Sequence, residues 1–330
     1  MSEGWVPYRA ADGSREVVPR KLAERARELA AGRLSPALPR DAATIMLLRQ
    51  GAAVDVTGVD VGVQAYLMRR TGTLDFAPGA YVFPGGSVDE RDADPEIGWA
   101  GPSPDDFASQ LNTSAERARA LVCAAVRETF EEAGVLLAGP SPTALLDDSA
   151  ALAKDRHALL AGSVSFGELL ARWGLLLRAD LLTPWARWIT PEASPRRFDT
   201  WFFAAPLPPG QTAALASPAE HRDPAEPGGP ARPGESDEGT WIEPSAALAS
   251  ARAGEIALLP PTAVTLGELA AEQDLAGILA LRRVISPRLP RVMIDAEGAW
   301  LAVPRYEPQA GETQAGETQA GETQAGETQA

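Results

Sequence analysis

The chain contains a single cysteine, which limits the chemistry that a thiol could supply. Cys123 is the sole cysteine among 330 residues, so an intrachain disulfide is excluded. Its neighbours Ala120, Val122, Ala124 and Val126 indicate the interior of a helix, where a free cysteine acts as a small hydrophobic residue. We therefore do not expect a catalytic thiol.

Long apolar runs and a surplus of basic charge are also missing. No run approaches the roughly 18 apolar residues of a membrane span, and the start of the chain lacks the layout of a signal peptide. The net charge is −15, which argues against nucleic acid or an anionic membrane surface as the main partner. The last residues do not form a peroxisomal Ser-Lys-Leu signal. We therefore expect a soluble, cytoplasmic protein and leave a homodimer open.

Three carboxylates crowd the end of one predicted helix. The segment Arg127-Glu-Thr-Phe-Glu-Glu-Ala-Gly-Val135 brings Glu128 onto one helix face with Glu131 and Glu132, because residues three and four apart are neighbours. Like charges this close repel one another, and the last turn lies at the negative end of the helix dipole. A hard divalent cation would neutralise them. The alternative is a solvated helix end with an Arg127–Glu131 ion pair.

A glycine turn precedes this helix in the sequence. Phe83-Pro84-Gly85-Gly86 follows a predicted strand, and glycine allows the backbone to come close to an anionic ligand. Glutamates that face such a turn could hold Mg²⁺ against a diphosphate. The turn, the order Arg-Glu-x-x-Glu-Glu-x-Gly and the predicted strands on both sides together favour a catalytic site over a solvated helix end.

These residues resemble the Nudix box, G-x5-E-x7-R-E-U-x-E-E-x-G-U, in which U is aliphatic. Gly86 fits the opening glycine, and the segment from Arg127 to Val135 fits the closing half residue by residue, except that Thr129 replaces an aliphatic residue. Arg127 lies 41 positions after Gly86, far more than the pattern allows, so an insertion rich in Asp, Pro and Ser lies within the box. This composition predicts a surface excursion.

The insertion displaces the first glutamate of the pattern. Counting back from Arg127, that glutamate falls on Arg119, which cannot bind a metal ion. Glu116, one turn earlier, is the nearest carboxylate, and we include it among the candidate ligands.

Further segments resemble the Nudix branch of the peroxisomal acyl-coenzyme A diphosphatases, in which the box also carries an insertion. The resemblance runs from about residue 41 to about residue 285. The segments are Phe76 to Gly86, Leu182 to Pro191, Arg196 to Phe203 and Leu259 to Thr262.

The resemblance implies roles for specific residues. Mg²⁺ or Mn²⁺ would bind at the carboxylates, activate water and neutralise phosphate charge. The implied metal ligands are Glu128, Glu131, Glu132 and the candidate Glu116. The implied catalytic residues are Glu128 and Glu131, Arg127 as the salt-bridge partner of Glu131, and Glu235 or Glu238 as a general base. The candidate substrate-binding residues are Gly85, Gly86, Arg69, Phe76 and Arg197.

The function implied by the resemblance is metal-dependent hydrolysis of the diphosphate in a nucleotide derivative. The first substrate class is coenzyme A or acyl-coenzyme A, which would be cut to 3′,5′-ADP and a phosphopantetheine product. ADP-ribose, NDP-sugars and NADH are alternative substrates. A Nudix module that senses a nucleotide without cutting it is the non-enzymatic alternative, and the replacement of the first box glutamate at Arg119 favours it.

The resemblance also implies the architecture, an α/β/α sandwich with a mixed sheet and helical insertions. We expect an N-terminal arm over 1–40, a Nudix domain over 41–303 with insertions at about 88–113 and 216–238, and a disordered tail over 304–330 that contains the tandem repeat Ala-Gly-Glu-Thr-Gln. Predicted helices span 19–31, 114–133, 145–160, 166–173, 244–253, 260–273 and 275–284. Predicted strands span 42–49, 63–70, 80–83, 185–189, 200–204, 239–242, 292–294 and 299–303.

Overall fold

A computed structural model of the chain describes residues 5–8, 15–54, 60–72, 77–216 and 236–304. Two of the predicted site residues, Phe76 and Glu235, lie outside these ranges. The Ala-Gly-Glu-Thr-Gln repeats and most of the predicted insertion at 216–238 lie outside them as well.

The described residues form fifteen strands and eight α-helices. The strands are β1 (Trp5–Pro7), β2 (Arg40–Val54), β3 (Asp60–Arg70), β4 (Ala80–Val82), β5 (Gly85–Ser87), β6 (Trp99–Ala100), β7 (Ala138–Gly139), β8 (Leu176–Arg178), β9 (Thr183–Ile189), β10 (Phe198–Pro206), β11 (Ser236–Ile242), β12 (Ala257–Leu258), β13 (Pro287–Arg288), β14 (Arg291–Asp295) and β15 (Gly298–Pro304). The helices are α1 (Arg20–Ala30), α2 (Pro104–Leu111), α3 (Ala115–Ala133), α4 (Ala153–Leu160), α5 (Phe166–Trp173), α6 (Pro244–Arg252), α7 (Pro260–Leu269) and α8 (Leu275–Ala280).

The central sheet is mixed, with the strand order β12-β4-β3-β2-β10-β9-β13. The long strand β2 runs parallel to β10 and antiparallel to β3. Only the second half of β2 pairs with β3, from Leu48 opposite Ala65 onward, whereas Thr44 lies opposite Gly85 of β5. The strands β2 and β3 therefore diverge, and the connection from β4 to β5 fills the gap with the glycine turn.

The two faces of this sheet bury separate apolar clusters, because successive side chains of a strand point to opposite faces. On one face Ile45 and Leu47 of β2 pack in a cluster with the buried side of α3. On the other face Met46 and Leu48 pack in a cluster with buried residues of α6, α7 and α8. The result is the layered arrangement of helix, sheet and helix that the resemblance implied.

Helix α3 begins and ends where the sequence predicts. The Ser114 side chain accepts a hydrogen bond from the Arg117 N–H at the start, and Gly134 closes the helix in the left-handed conformation with φ of 69°. Alanines and Cys123 on its buried side allow close packing against the sheet. Full burial of a large side chain such as Phe130 contributes about 2 kcal/mol.

The insertion within the box is more ordered and more buried than a surface excursion. Its helix α2 begins with a reciprocal cap between Ser103 and Asp106. Ile97, Phe107 and Leu111 are buried in the same cluster as α3. The Asp and Pro content that suggested a surface segment instead marks the turns that surround this small core.

A second, three-stranded sheet joins the two ends of the described chain. Its order is β1-β15-β14, and Val6 lies opposite Val303. The predicted late hairpin is thus present as β14 and β15, and residues from the predicted N-terminal arm add a strand to it. Helix α1 packs nearby, where Ala23 contacts a cluster that includes Leu301.

Other helices are shorter than predicted. The predicted helix over 145–160 begins as a 3₁₀ turn at Ala150–Leu152 and continues as α4. Helix α7 ends at Leu269, and α8 ends at Ala280, after which Arg282 donates to the carbonyl oxygens of the preceding residues. Within the described residues, no helix combines the length and the apolar character needed to cross a bilayer.

A buried carboxylate on β10 provides a test of the fold. Asp199 is 4% exposed and accepts hydrogen bonds from Arg187 at 2.7 and 2.8 Å and from Arg117 at 3.2 Å. We expect Asp199→Ala to lower the free energy of unfolding by about 3 kcal/mol, because it leaves a largely buried guanidinium without its counter-charge. Urea unfolding measures this loss.

Asp41 is the matched control, because it also binds Arg117 but its side chain is 31% exposed. Asp41→Ala should cost under about 1 kcal/mol. Equal losses for the two variants would contradict the role assigned to burial.

Candidate functional site

Two of the three glutamates near the end of α3, Glu128 and Glu132, lie against the glycine turn. The Glu132 carboxylate accepts a hydrogen bond from the Gly85 N–H at 2.7 Å. A Cβ atom added to Gly86 would overlap the Glu128 carboxylate. With Arg127, which binds Glu128 and Glu131, the structure brings together six of the predicted site residues: Gly85, Gly86, Arg127, Glu128, Glu131 and Glu132.

Each of the two glycines allows a different close contact. A Cβ at Gly85 would meet the backbone of β2, at 2.5 Å from the Ala43 carbonyl oxygen and 2.7 Å from the Thr44 Cα. At Gly86 the obstacle is instead the flexible end of the Glu128 side chain. Gly85 is thus required for the pairing of β5 with β2, and Gly86 for the approach of a carboxylate to the turn.

Arg127 lies at the centre of the site and is 9% exposed. Its Nη1 donates to Glu128 at 2.8 Å and to Glu131 at 3.0 Å, which confirms the expected Arg127–Glu131 contact. Its Nη2 donates to the Ser87 carbonyl oxygen at 2.8 Å. The remaining partner is Asp92 in the insertion, which accepts from Nε and Nη2 at 3.0 Å each.

The carboxylates are held in a poorly solvated environment. Burial raises the pKa of Glu128 to about 7, against the opposing effect of the Arg127 charge. Burial also raises the pKa of Glu131 and of Asp92, although hydrogen bonds from Arg127 lower both. Negative charge at this site is therefore costly, and a cation would relieve that cost.

The carboxylates are suitable ligands for a metal ion because of their chemistry, although they do not form a preorganised coordination site. Within the ranges that the structure describes, no group of three or more His, Cys, Asp or Glu side chains is arranged to hold an ion. Arg127 occupies oxygens of Glu128 and Glu131, and Gly85 occupies one of Glu132. Hard carboxylate oxygens fit Mg²⁺ or Mn²⁺, and Mg²⁺ commonly takes one or two carboxylates and completes its shell with water and substrate phosphate.

A second guanidinium supports the end of α3. Arg156 of α4 donates to the Glu131 carbonyl oxygen at 3.0 Å and to the Ala214 carbonyl oxygen at 3.1 Å. A cation at a helix C-terminus offsets the negative end of the helix dipole. Arg156 thus offsets part of the unfavourable electrostatic energy of the acidic residues in the last turn.

A cavity of about 180 Å³ opens beside Glu131. The insertion contributes Arg91 to its wall, and the α4–α5 corner contributes the apolar side chains Leu159 and Phe166. The site is thus continuous with a space that has one apolar side and one charged side.

The structure places Arg69 and Glu238 together on neighbouring strands. The two residues are opposite each other in β3 and β11, and their side chains form an ion pair at 3.2 Å. Tyr81, opposite Arg69 in β4, belongs to the apolar cluster on the sheet face opposite α3. The roles predicted for Arg69 in substrate binding and for Glu238 as a general base stay predictions.

Glu116 is distant from the other glutamates, and Arg197 is engaged by backbone carbonyl groups. Glu116 is exposed in the first turn of α3, twelve residues before Glu128 and therefore about 18 Å along the helix. Arg197 is 8% exposed and donates to the carbonyl oxygens of Thr190 and Ala37. Neither residue is brought to the glutamates, and Phe76 and Glu235 lie outside the described residues.

Sequence reasoning missed Asp92 and Arg156. Asp92 is 35 positions before Arg127, inside a segment that looked like a surface loop. Its signal in the sequence is the box pattern counted forward, because Asp92 stands six positions after Gly86, at the place of the first glutamate. For Arg156 the only sequence signal is its place on a predicted helix.

The fold matches a solved enzyme structure. The crystal structure of a NUDIX hydrolase from Alicyclobacillus acidocaldarius aligns with 75% of this chain and 98% of its own length, at 25% identity and a TM-score of 0.54. This likeness confirms the predicted Nudix α/β/α sandwich.

Two curated relatives are similar in sequence. The putative nudix hydrolase 7 of Caenorhabditis elegans is 31% identical over 210 residues, which cover 63% of this chain and 56% of that protein. The human acyl-coenzyme A diphosphatase NUDT19 is 29% identical over 281 residues, which cover 72% of this chain and 70% of that protein. The chain thus spans little more than half the length of the nematode relative.

The fold and the glutamate-bearing helix define a Nudix hydrolase. Within that class the chain belongs to the family of the NUDT19 Nudix domain, whose model matches residues 101–269. The matched segment contains α3 with all three glutamates and begins after the glycine turn. The resemblance to the acyl-coenzyme A diphosphatase branch is therefore confirmed at the level of the family.

The two glycines of the turn give a paired prediction. We expect Gly85→Ala to destabilise the protein by about 3 kcal/mol, because its new methyl group meets the β2 backbone. We expect Gly86→Ala to cost under about 1 kcal/mol but to displace Glu128 and weaken Mn²⁺ binding about tenfold. Thermal unfolding and electron paramagnetic resonance of free Mn²⁺ measure the two effects.

Gly72→Ala is the control, since no atom lies near its added Cβ and its backbone conformation is ordinary. Equal stability of the Gly85 and Gly86 variants would contradict the assignment of their contacts.

The raised pKa of Glu128 predicts how stability varies with pH in the absence of metal. Since the folded state binds this proton more tightly than the unfolded state, stability should fall as the pH rises from about 4.5 to about 7. The loss from this group is up to about 3 kcal/mol. Urea unfolding in the presence of a chelator measures it, and Glu128→Gln should flatten the slope. An unchanged slope in that variant would refute the assignment.

Proposed function

We propose that the protein hydrolyses the diphosphate of a nucleotide derivative in a reaction that depends on Mg²⁺ or Mn²⁺. The observation that carries this proposal is that Glu128 and Glu132 of one helix meet the glycine turn at the divergence of β2 and β3, while Arg127 binds Glu131 beside them. The membership of the chain in a family of Nudix hydrolases supports the same reaction class.

Each charged residue of the site has its own role in the proposed reaction. Glu131 and Glu132 would hold the cation through carboxylate oxygens. When bound, the cation would supply neutralisation of the diphosphate charge. Glu128 would orient the attacking water and accept its proton, while Arg127 fixes the carboxylates of Glu128 and Glu131. The water oxygen forms a bond to one phosphorus, the bridging P–O bond breaks, and the other phosphate leaves.

The substrate class that we propose is coenzyme A or acyl-coenzyme A, with 3′,5′-ADP and a phosphopantetheine derivative as products. The human relative NUDT19, an acyl-coenzyme A diphosphatase, supports this class. The cavity beside Glu131 offers room for the group next to the diphosphate, with Leu159 and Phe166 as an apolar wall. ADP-ribose, NDP-sugars and NADH share the diphosphate and are the alternatives.

A panel of substrates tests this proposal. We expect the wild type with Mn²⁺ to release 3′,5′-ADP from coenzyme A and acyl-coenzyme A, as measured by chromatography. Glu131→Gln should lower kcat by at least about 100-fold, because it removes a charge from the site at nearly constant volume. Glu96→Gln, an exposed residue of the insertion, is the matched control and should retain full activity.

The other outcomes discriminate between the alternatives. Cleavage of ADP-ribose or NADH alone would retain the reaction class and eliminate coenzyme A. Tight nucleotide binding with no turnover would favour the sensing module. A loss in Glu116→Gln as large as that in Glu131→Gln would restore Glu116 as a ligand, despite its distance.

A further inference from the structure

We infer that the cavity beside Glu131 is a specificity subsite, and that it takes the branched, apolar carbon that follows the diphosphate in coenzyme A. In that molecule a methylene joins the diphosphate to a carbon with two methyl groups, and a hydroxyl and an amide come next. ADP-ribose and NADH carry a ribose on both sides of the diphosphate instead. The inference rests on the proposed function for the position of the diphosphate.

The cavity connects the proposed metal site to an apolar wall. Arg127 and Glu131 line it where the cation and the diphosphate would lie. The apolar wall consists of Leu159, Leu160 and Phe166. Because the volume is only about 180 Å³, the group attached directly to the diphosphate would contact this wall.

The corner between α4 and α5, which supplies the apolar wall, has a fixed shape. Gly162 turns the chain in the left-handed conformation with φ of 69°, and its N–H donates to the Leu159 carbonyl oxygen at 2.8 Å. Helix α5 packs so closely against the insertion that a Cβ added to Gly167 would lie 3.1 Å from Ile97. The wall is therefore preformed, and a ligand need not order it.

The charges of the cavity favour a neutral occupant. The lining contains three carboxylates and two guanidiniums, which belong to Asp89, Asp92 and Glu131 and to Arg91 and Arg127. Three negative charges against two positive ones leave an excess of one negative charge, which repels a phosphate. The 3′-phosphate of coenzyme A would therefore lie outside the cavity, and the uncharged arm of the molecule would lie inside.

The apolar wall distinguishes the branched carbon from a ribose. Two methyl groups that leave water for such a wall strengthen binding about tenfold. A ribose in their place would hold hydroxyl groups against Leu159 and Phe166, whose side chains offer no hydrogen bond, and burial of an unpaired hydroxyl is unfavourable. The wall therefore favours coenzyme A over ADP-ribose and NADH.

Arg91 is placed to bind the polar groups that follow the branched carbon. Asp89 accepts from the Arg91 Nε at 3.0 Å and from its Nη2 at 2.8 Å, which fixes the plane of the guanidinium. Nη1 lies outside this pair of bonds. It is the donor that we assign to the hydroxyl or the amide carbonyl oxygen of the substrate.

The experiment compares two synthetic esters of ADP, one with a 2,2-dimethylpropyl group and one with an n-propyl group on the terminal phosphate. These esters differ only by the two methyl groups. For the wild type with Mn²⁺ we expect kcat/KM to be about tenfold higher for the branched ester. Leu160→Asn, which changes a half-buried residue of the wall, should reduce this ratio to less than about threefold. Leu248→Asn is the matched control, because this half-buried leucine packs against the cluster on the opposite face of the sheet.

Two glycines provide a second pair of variants. Gly162 lines the cavity, and a Cβ added to it meets no atom within 4 Å, so Gly162→Asn should fold. Asparagine also tolerates the left-handed conformation. Its side chain should fill part of the cavity and lower kcat/KM for coenzyme A at least about fivefold. Gly174→Asn is the control, because Gly174 has φ of 61° and equally open surroundings but is not among the residues that line the cavity.

Arg91→Gln tests the polar part of the subsite. We expect kcat/KM to fall at least about fivefold for coenzyme A but less than about twofold for the branched ester, because that ester lacks the hydroxyl and the amide. Equal losses on the two substrates would overturn the assignment of Arg91.

Three results would overturn the inference about the cavity: equal kcat/KM for the two esters in the wild type, an unchanged ratio in Leu160→Asn, or full coenzyme A hydrolysis in Gly162→Asn. Failure of the proposed function gives a different pattern. In that case the wild type hydrolyses none of these diphosphates, while calorimetric titration with the two esters still shows whether the cavity prefers the branched group.

Discussion

The burial of the Arg127 guanidinium is the constraint on which the site depends. Arginine cannot give up its proton in a protein, so a buried arginine must find negative partners on every side. Here the partners come from three separate pieces of backbone: the insertion with Asp92, the glycine turn with the Ser87 carbonyl, and α3 with Glu128 and Glu131. The Arg127 guanidinium therefore fixes the relative positions of all three segments.

The single positive charge of Arg127 does not neutralise all of the surrounding carboxylates. Arg127 faces Asp92, Glu128 and Glu131, and Glu132 lies nearby against Gly85. The structure thus holds a local excess of negative charge in a poorly solvated place, and burial raises the pKa of Glu128 to about 7. A divalent cation bound as we propose would therefore stabilise the folded protein as well as take part in the reaction.

The parts of the site that were predictable are those encoded by neighbouring residues. The bounds of α3 follow from the Ser114 cap and Gly134, and the shared face of the glutamates follows from helix periodicity. Contacts between distant segments were not predictable in this way. Arg197 and Arg69 look alike in sequence, as arginines beside strands, yet their partners are set by tertiary packing. The burial of Asp92 against α3 was not predictable for the same reason, because a segment rich in Asp and Pro is typical of an exposed loop.

The pairing of β1 with β15 has a consequence for the way the chain is made. Val6 and Val303 are nearly three hundred positions apart, and both pack against the apolar cluster beneath α6, α7 and α8. During synthesis the first strand must wait until almost the whole chain has left the ribosome before it finds its partner. Contacts of such long sequence separation form slowly, and unpaired strand edges invite association with other chains in the meantime. The small sheet is thus a late step of folding.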